Sequence, residues 1–367
     1  MKGQRMRSYL SYMLATGLIL LPLGGCLQTK VIDNLDYITA VAYDWENEKY
    51  IRGTVAVPFY LPDRSVKNAT YQEVTQLSKE MREKMNKLTP NPLVSGKLEV
   101  GLFGTEMARK KGIMDVLDSW QRDPFIGRRA YLAVVDGNAG DLLLKAIKKK
   151  EIGESIAKLI QHNIEHGRIP DTNFHHFINV YYRENGDPWL PLLTLEQRKP
   201  MLKGMALFKK GKMKGKIETI QEMAIFTFMH WDRTESTGVK FVTKKGVMGF
   251  LRVTEIHRKI KVVQSGNMPS VHVKLDIHGN LEEIHGVRQA TDKVIPELEH
   301  LVEKELQYQG QKLIQKLQRW NVDPLGYSEA ARIHDRHFDA KAWSKQYPHI
   351  KVKITCRVHI DEYGIVD

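Results

Sequence analysis

The sequence predicts a multi-domain protein of mixed α/β and α+β class, with antiparallel or mixed sheets packed against helices and a C-terminal sheet covered by one long helix. Three observations carry this expectation. Between residues 37 and 183, short apolar, β-branched runs alternate with helix-periodic segments, the pattern of an α/β layer structure. From Arg183 to Lys203 the chain holds Gly186, Pro188, Pro191 and Pro200, its strongest punctuation, which separates an N-terminal region (37–195) from a C-terminal region (200–367) of one or two subdomains. Beyond that boundary, period-two strands surround one long amphipathic stretch. A chain of 367 residues with 42% hydrophobic and 27% charged residues is globular and too long for one ordinary domain.

The chain opens on a leader. Lys2, Arg5 and Arg7 precede an apolar run from Tyr9 to Leu23, the charge and hydrophobic order of a secretory signal. Ser8 to Thr29 carries no charge, so its length would also suit a membrane-spanning helix. Leu23-Gly24-Gly25-Cys26 favours the signal, because small residues before a cysteine fit a lipoprotein signal peptidase, although Gly24 stands where Ala, Ser or Thr is commoner. Cleavage between Gly25 and Cys26 would remove residues 1–25 and leave residues 26–36 as a tether. The Cys26 thiolate is the nucleophile that would take a covalent diacylglycerol, with or without an N-acyl chain. An uncleaved membrane anchor and a non-lipidated secreted form are the alternatives. The formal net charge of +13 favours contact with anionic lipid over nucleic acid, which an exported chain rarely meets.

"DYITAVAYD" and "YIRGTVAVPFY" read as two strands joined by the polar turn Glu46–Lys49, with Pro58 ending the pairing. "TYQEVTQLSKEMREKMNKL" spaces Val74, Leu77, Met81, Met85 and Leu88 as a helix stopped by Pro90. "KLEVGLFG" is a strand, and "TEMARKKGIMDVLDSWQRD" one or two helices broken at Gly112. "RAYLAVVDG" is a strand turning at Asp136-Gly137, followed by the helix "DLLLKAIKKK", opened by Asp141. "GESIAKLIQHNIEHG" is a helix with Ile156, Leu159, Ile160 and Ile164 inward. "GMALFKKGKMKGKI" is a hairpin; "FTFMH", "RKIKVVQ" and "SVHVKLDIH" are strands. "ELEHLVEKELQYQGQKLIQKLQRW" is the longest helix, weakened at Gly310, with Leu298, Leu301, Val302, Leu306, Leu313, Leu317 and Trp320 along one stripe. The closing strand alternates Ile350, Val352, Ile354, Cys356, Val358 and Ile360 with polar residues, which buries the Cys356 thiol as filler.

No catalytic constellation stands out, and the expectation is a protein that is not an enzyme and holds no metal. His162-Asn163-Ile164-Glu165-His166 matches H-x-x-E-H, which could grip zinc on a helix. Here it occupies the last turn of an amphipathic helix, facing solvent beside Gly167, where an imidazole suits the helix C-terminus. His334 and His337 lack a third ligand nearby in sequence. Asp136, Asn138 and Asp141 hint at a calcium loop, but Asp141 stands where the loop requires glycine and Ile147 where it requires glutamate. Lys209, Lys210, Lys212, Lys214 and Lys216 form the densest basic patch, a solvated hairpin that could also meet an anionic surface.

In order and spacing, several stretches are similar to one family. They are the Cys26 motif, "NLDYITAVAYDWENEKYIRGTVAV", "GTEMARKKGIMDVLDSWQRDPFIGRRAYLAVVDGNAGDLL", "KGMALFKKGKMKGKI" and the closing "KLQRWNVDPLGYSEAARIHDRHFDAKAWSKQYPHIKVKITCRVHIDEYG". Together they resemble the Ger(x)C lipoproteins, C subunits of the nutrient germinant receptors of endospore-forming bacteria. Pro124, Phe125, Pro324 and Leu325 depart from the family pattern. The resemblance implies a lipoprotein on the outer face of the spore inner membrane, acting with membrane A and B subunits. A lipoprotein that itself binds a small nutrient is the rival reading, and a zinc hydrolase a distant third.

Overall fold

The computed structural model describes residues 34–146, 150–230, 237–242, 246–265, 268–286, 293–335 and 337–363, and from Asp36 onward the chain forms one compact unit. In order, β1 (Asp36–Tyr37), β2 (Ala40–Trp45), β3 (Ile51–Tyr60) and β4 (Val66–Thr75) lead to α1 (Ser78–Met85) and β5 (Leu93–Val94). Next come β6 (Val100–Gly104), α2 (Thr105–Lys110), α3 (Met114–Gln121), β7 (Tyr131–Val135), α4 (Ala139–Lys145), α5 (Ile152–Glu165) and α6 (Phe174–Tyr182). β8 (Trp189–Glu196), β9 (Lys199–Lys209) and β10 (Lys212–Ile217) complete an eight-stranded mixed sheet of order β10-β9-β8-β7-β6-β2-β3-β4. The 195–200 boundary is the tight turn between β8 and β9, which pair with each other, so the sheet runs through it.

The second sheet follows α7 (Ile220–His230). It contains β11 (Thr237–Val242), β12 (Met248–Ser265), β13 (Met268–His285) and, after α8 (Ile295–Arg319), α9 (Tyr327–His334) and α10 (Ala340–Gln346), the edge strand β14 (Lys351–Tyr363). The mixed architecture, and the long helix over the C-terminal sheet, are as the sequence predicts. α8 buries Leu298, Val302, Leu306, Leu313 and Leu317. Gly310 is a close-approach position: a Cβ there would sit 2.8 Å from Ile354 Cδ1, so glycine lets the helix lie directly on β14.

Both faces of the large sheet are buried along its central strands. Ala40, Val100, Leu102, Ala133 and Val135 meet α4 and α5 on one side, and Tyr43, Phe103, Leu132 and Val134 meet α2, α3 and α6 on the other. Five local expectations need correction. Val66–Thr75 is a strand, not the start of a helix, because its Thr, Tyr and Val side chains fit a pleated surface beside β3. Helix α1 is therefore short, burying Met81 and Met85 while Leu77 and Leu88 are exposed. Pro58 does not end β3: Ala56 O accepts Thr39 N–H on the β2 side, and two residues on, the proline nitrogen faces that same side beyond the start of β2, so pairing to Asn68 of β4 continues. "FTFMH" lies in helix α7, buried from Ala224 to Met229; an element enclosed on every side shows no helical stripe and mimics a strand. Asp141 does not open α4; the cap is distant, with Asp44 accepting the Ala139 and Gly140 N–H groups at 2.7 and 2.8 Å. The C-terminal sheet is mixed, since β14 runs parallel to β13 across the α8 crossover.

Candidate functional site

Gly25 and Cys26 lie outside the described residues. The lysine run is split by the fold. Lys209 turns inward, where its Nζ donates to Asp187 at 3.1 Å and to the Asn321 carbonyl. Lys216 pairs with Glu218 at 3.0 Å and, with Lys203, holds Asp136, whose carboxyl is drawn below the usual range chiefly by the Lys203 hydrogen bond. Lys212 Nζ donates to the Lys110 carbonyl at 2.7 Å, and Lys210, Lys212 and Lys214 stay exposed. Asp136 thus serves a surface ion-pair network, and Asn138 is the residue preceding α4. The rings of His162 and His166 lie 4.1 Å apart, tilted to each other, on the exposed end of α5, with Glu165 bonded to Gln161. His334 ends α9 and His337 is exposed. Cys356 is buried under α8, which pushes its thiol up to about 12.

Two arrangements that the sequence did not single out carry the chemistry of the surface and the junction. The first lies where the two sheets meet. Asp187, in the loop before β8, accepts from Lys209 Nζ and from the Asp323 N–H at 2.8 Å. Asp323 in turn accepts the Tyr327 and Ser328 N–H groups, at 3.1 and 2.7 Å, and so caps α9. Burial raises the pKa of both carboxyls, that of Asp323 to about 6, against the pull of Lys209 on Asp187 and of the two N–H groups on Asp323. A cleft of about 400 Å³ opens beside this junction, lined by His176, Trp189, His230 and Arg258 among others. Trp189 and His230 rings sit 4.1 Å apart, and among the described residues His176 Nε2, Trp189 Nε1 and His230 Nδ1 find no hydrogen-bond partner. Burial lowers His230 to about 3, so it stays neutral.

The second arrangement is the outer face of the C-terminal sheet. Val271, Val273, Leu275 and Ile277 of β13 point into the core, which turns His272, Lys274, Asp276 and His278 outward. Register sets Lys259 of β12 directly opposite Lys274, and Lys261 opposite His272, with Lys353 on the other side of His272. Lys259, Lys261, Lys274, Lys351 and Lys353 are exposed, and no ion pair involving them occurs among the described residues. Like charges directly opposite in a sheet are destabilising, so this basic half of the face works against the fold unless an anion meets it. The other half is mixed. His278 and His359 are register partners stacked 4.7 Å apart, Asp276 lies one step away, and Asp361 Oδ1 is 3.1 Å from His278 Nδ1. Each polar position is visible in the sequence as the alternate residue of a strand. What it does not reveal is which strands are neighbours.

Comparison with known proteins then decides the family. The model described as spore germination protein N-terminal domain matches residues 28–195, and that described as spore germination B3/GerAC like, C-terminal, matches residues 203–364. The chain belongs to the Ger(x)C family of spore germination proteins. It is 26% identical to spore germination protein GerQC of Bacillus cereus, covering 94% of this chain and 96% of that protein. It is 23% identical to spore germination protein B3 of Bacillus subtilis (strain 168), covering 95% and 96%. The crystal structure of the GerBC protein shares the fold, with a TM-score of 0.58 at 19% identity over 88% of this chain and 96% of that one. The Ger(x)C framework therefore extends over almost all of the described residues, and both the junction and the open face lie within it.

Proposed function

We propose that the chain is the lipid-anchored C subunit of a nutrient germinant receptor, a non-catalytic part that assembles or couples with membrane A and B subunits on the outer face of the spore inner membrane. The observation that carries this reading is the succession of two spore-germination domain matches, 28–195 and 203–364, behind the Leu23-Gly24-Gly25-Cys26 motif. Among the described residues no helix is long and apolar enough to cross a membrane, so attachment in this reading falls to the acylated Cys26. Two acyl chains hold a protein stably where one does not. Confinement to the membrane plane then raises the effective concentration of the folded unit near its partners.

The open basic face supplies a second contact in this reading. An anionic headgroup surface attracts each nearby Lys or Arg by about 1 kcal/mol, and β12, β13 and β14 offer such cations on one plane. Replacing Cys26 with Ala tests the anchor. The variant is expected to leave the membrane fraction and to weaken the germination response to nutrient. Full membrane retention with a normal response would overturn the reading.

A further inference from the structure

We propose that Asp276, His278 and His359 form a surface binding site for a zinc-type divalent cation, clamping the edge strand β14 to β13. One ligand atom from each of these residues lies within 4.8 Å of the other two. Asp276 Oδ1 and His359 Nε2 approach to 3.2 Å, yet this oxygen, though shielded from solvent, receives no hydrogen bond from any of the described residues. Two ligands about 2.0–2.1 Å from a tetrahedral zinc are separated by roughly 3.3 Å, so a nitrogen and an oxygen already stand at the spacing a shared cation requires.

The register explains the convergence. His278 and His359 are direct partners in the parallel pair β13–β14, and Asp276 projects from the same face two residues before His278. Both strands are packed from beneath by the core, with Ile277 and Val358 buried, so the ligand-bearing backbone is rigid. Asp361 completes the set: its Oδ1 at 3.1 Å from His278 Nδ1 steadies that imidazole, as outer carboxylates do around metal-bound histidines. Two imidazoles and one carboxylate suit zinc, and the exposed face leaves a coordination position for a donor from solvent or from a partner. His162 and His166 on α5, which match a zinc motif in sequence, lie elsewhere, and Glu165 beside them is engaged with Gln161.

The inference is independent of the germinant-receptor reading and is tested on the full chain, free of any affinity tag and stripped with chelator. Zinc is titrated against a chromophoric competitor. One equivalent is expected to bind, and His278→Ala, His359→Ala and Asp276→Asn should each weaken it at least tenfold, with Asp361→Asn costing about tenfold through the loss of ring orientation. His166→Ala and His334→Ala should leave it unchanged. Circular dichroism checks that each variant is folded, and the solvent-facing position of His359 makes its variant the decisive one. The proposal falls if the folded chain takes up no stoichiometric zinc. It falls equally if His359→Ala retains the equivalent while His166→Ala loses it.

Discussion

Along β6, Val100, Leu102 and Phe103 are all buried, whereas along β14 Val352, Ile354, Cys356 and Val358 alternate with exposed Lys353, Thr355 and Arg357. The first strand is central in a sheet covered by helices on both faces, and the second is the edge of a sheet covered on one. The difference is thermodynamic before it is functional. The central strands of a two-faced sheet commit their side chains to the core, so those residues are answerable to packing alone. A one-faced sheet keeps half of its side chains in water, where they can be chosen for contacts with something else. The exposed lysines and the Asp276–His278–His359 cluster both occupy that free half.

The sharpest way to break this contrast is to place a carboxylate at adjacent positions in each strand. Leu102→Asp and Phe103→Asp are neighbours on opposite faces of the large sheet, and both are expected to destabilise by more than about 4 kcal/mol, since each buries an unpaired charge. On β14 the same pair of changes should diverge. Val352→Asp is expected to be as damaging, and Lys353→Asp to stay within about 0.5 kcal/mol. Urea unfolding measures all four. Tolerance at either Leu102 or Phe103 would show that one face of the large sheet is open after all.

Between the sheets lies a third environment, neither fully apolar nor solvated. His230 ends α7 there, stacked on Phe226 at 5.6 Å, with its pKa lowered from 6.5 to about 3 by burial first and then by Arg258 and His176. In the unfolded chain it titrates near 6.5, so between pH 6.5 and pH 3 the unfolded state binds more protons than the folded one. The contribution of His230 to stability is therefore present above pH 6.5 and is lost as pH falls through that window, by about 3 kcal/mol between pH 7 and pH 4. His230→Phe keeps the ring packing and cannot take the proton. Its stability should lose about that much less than the wild type over the same pH range in urea unfolding. Equal acid sensitivity in the two proteins would place the titrating group elsewhere.

These environments also decide how much could be read from the chain. β14 and α8 were legible because each buries one face, so period two and the helical stripe survive in the residue order. α7, enclosed from Ala224 to Met229, showed only a short apolar run, which is as consistent with a strand. β4 carried a helical spacing from Val74 to Met85 that crosses a strand end and a helix start. The basic patch was legible only as composition. Nothing local shows that Lys209 points into the Asp187–Asp323 junction, or that Lys216 shares Asp136 with Lys203. The metal-type cluster was invisible for a related reason: His278 and His359 meet through a parallel crossover, and the pairing of distant strands leaves no spacing to find.

The smallest expected stability effect separates charge placement from charge total. Lys274 faces Lys259 across the β12–β13 pair, so Lys274→Glu exchanges a repulsion for an attraction and should raise stability, by roughly 0.2–1 kcal/mol at low salt. A gain in stability on reversing a surface charge means that the native lysine is kept at a cost to the fold. If an anionic headgroup surface is what it serves, the same variant should bind vesicles containing anionic lipid about tenfold or more weakly, because a favourable contact of about 1 kcal/mol is lost and a repulsion added. Lys214→Glu on the β10 hairpin changes the net charge identically but lies in the other sheet. It should leave vesicle binding nearly unchanged. Matching losses in the two variants would mean that the membrane senses only total charge, and the open face would then have no special standing.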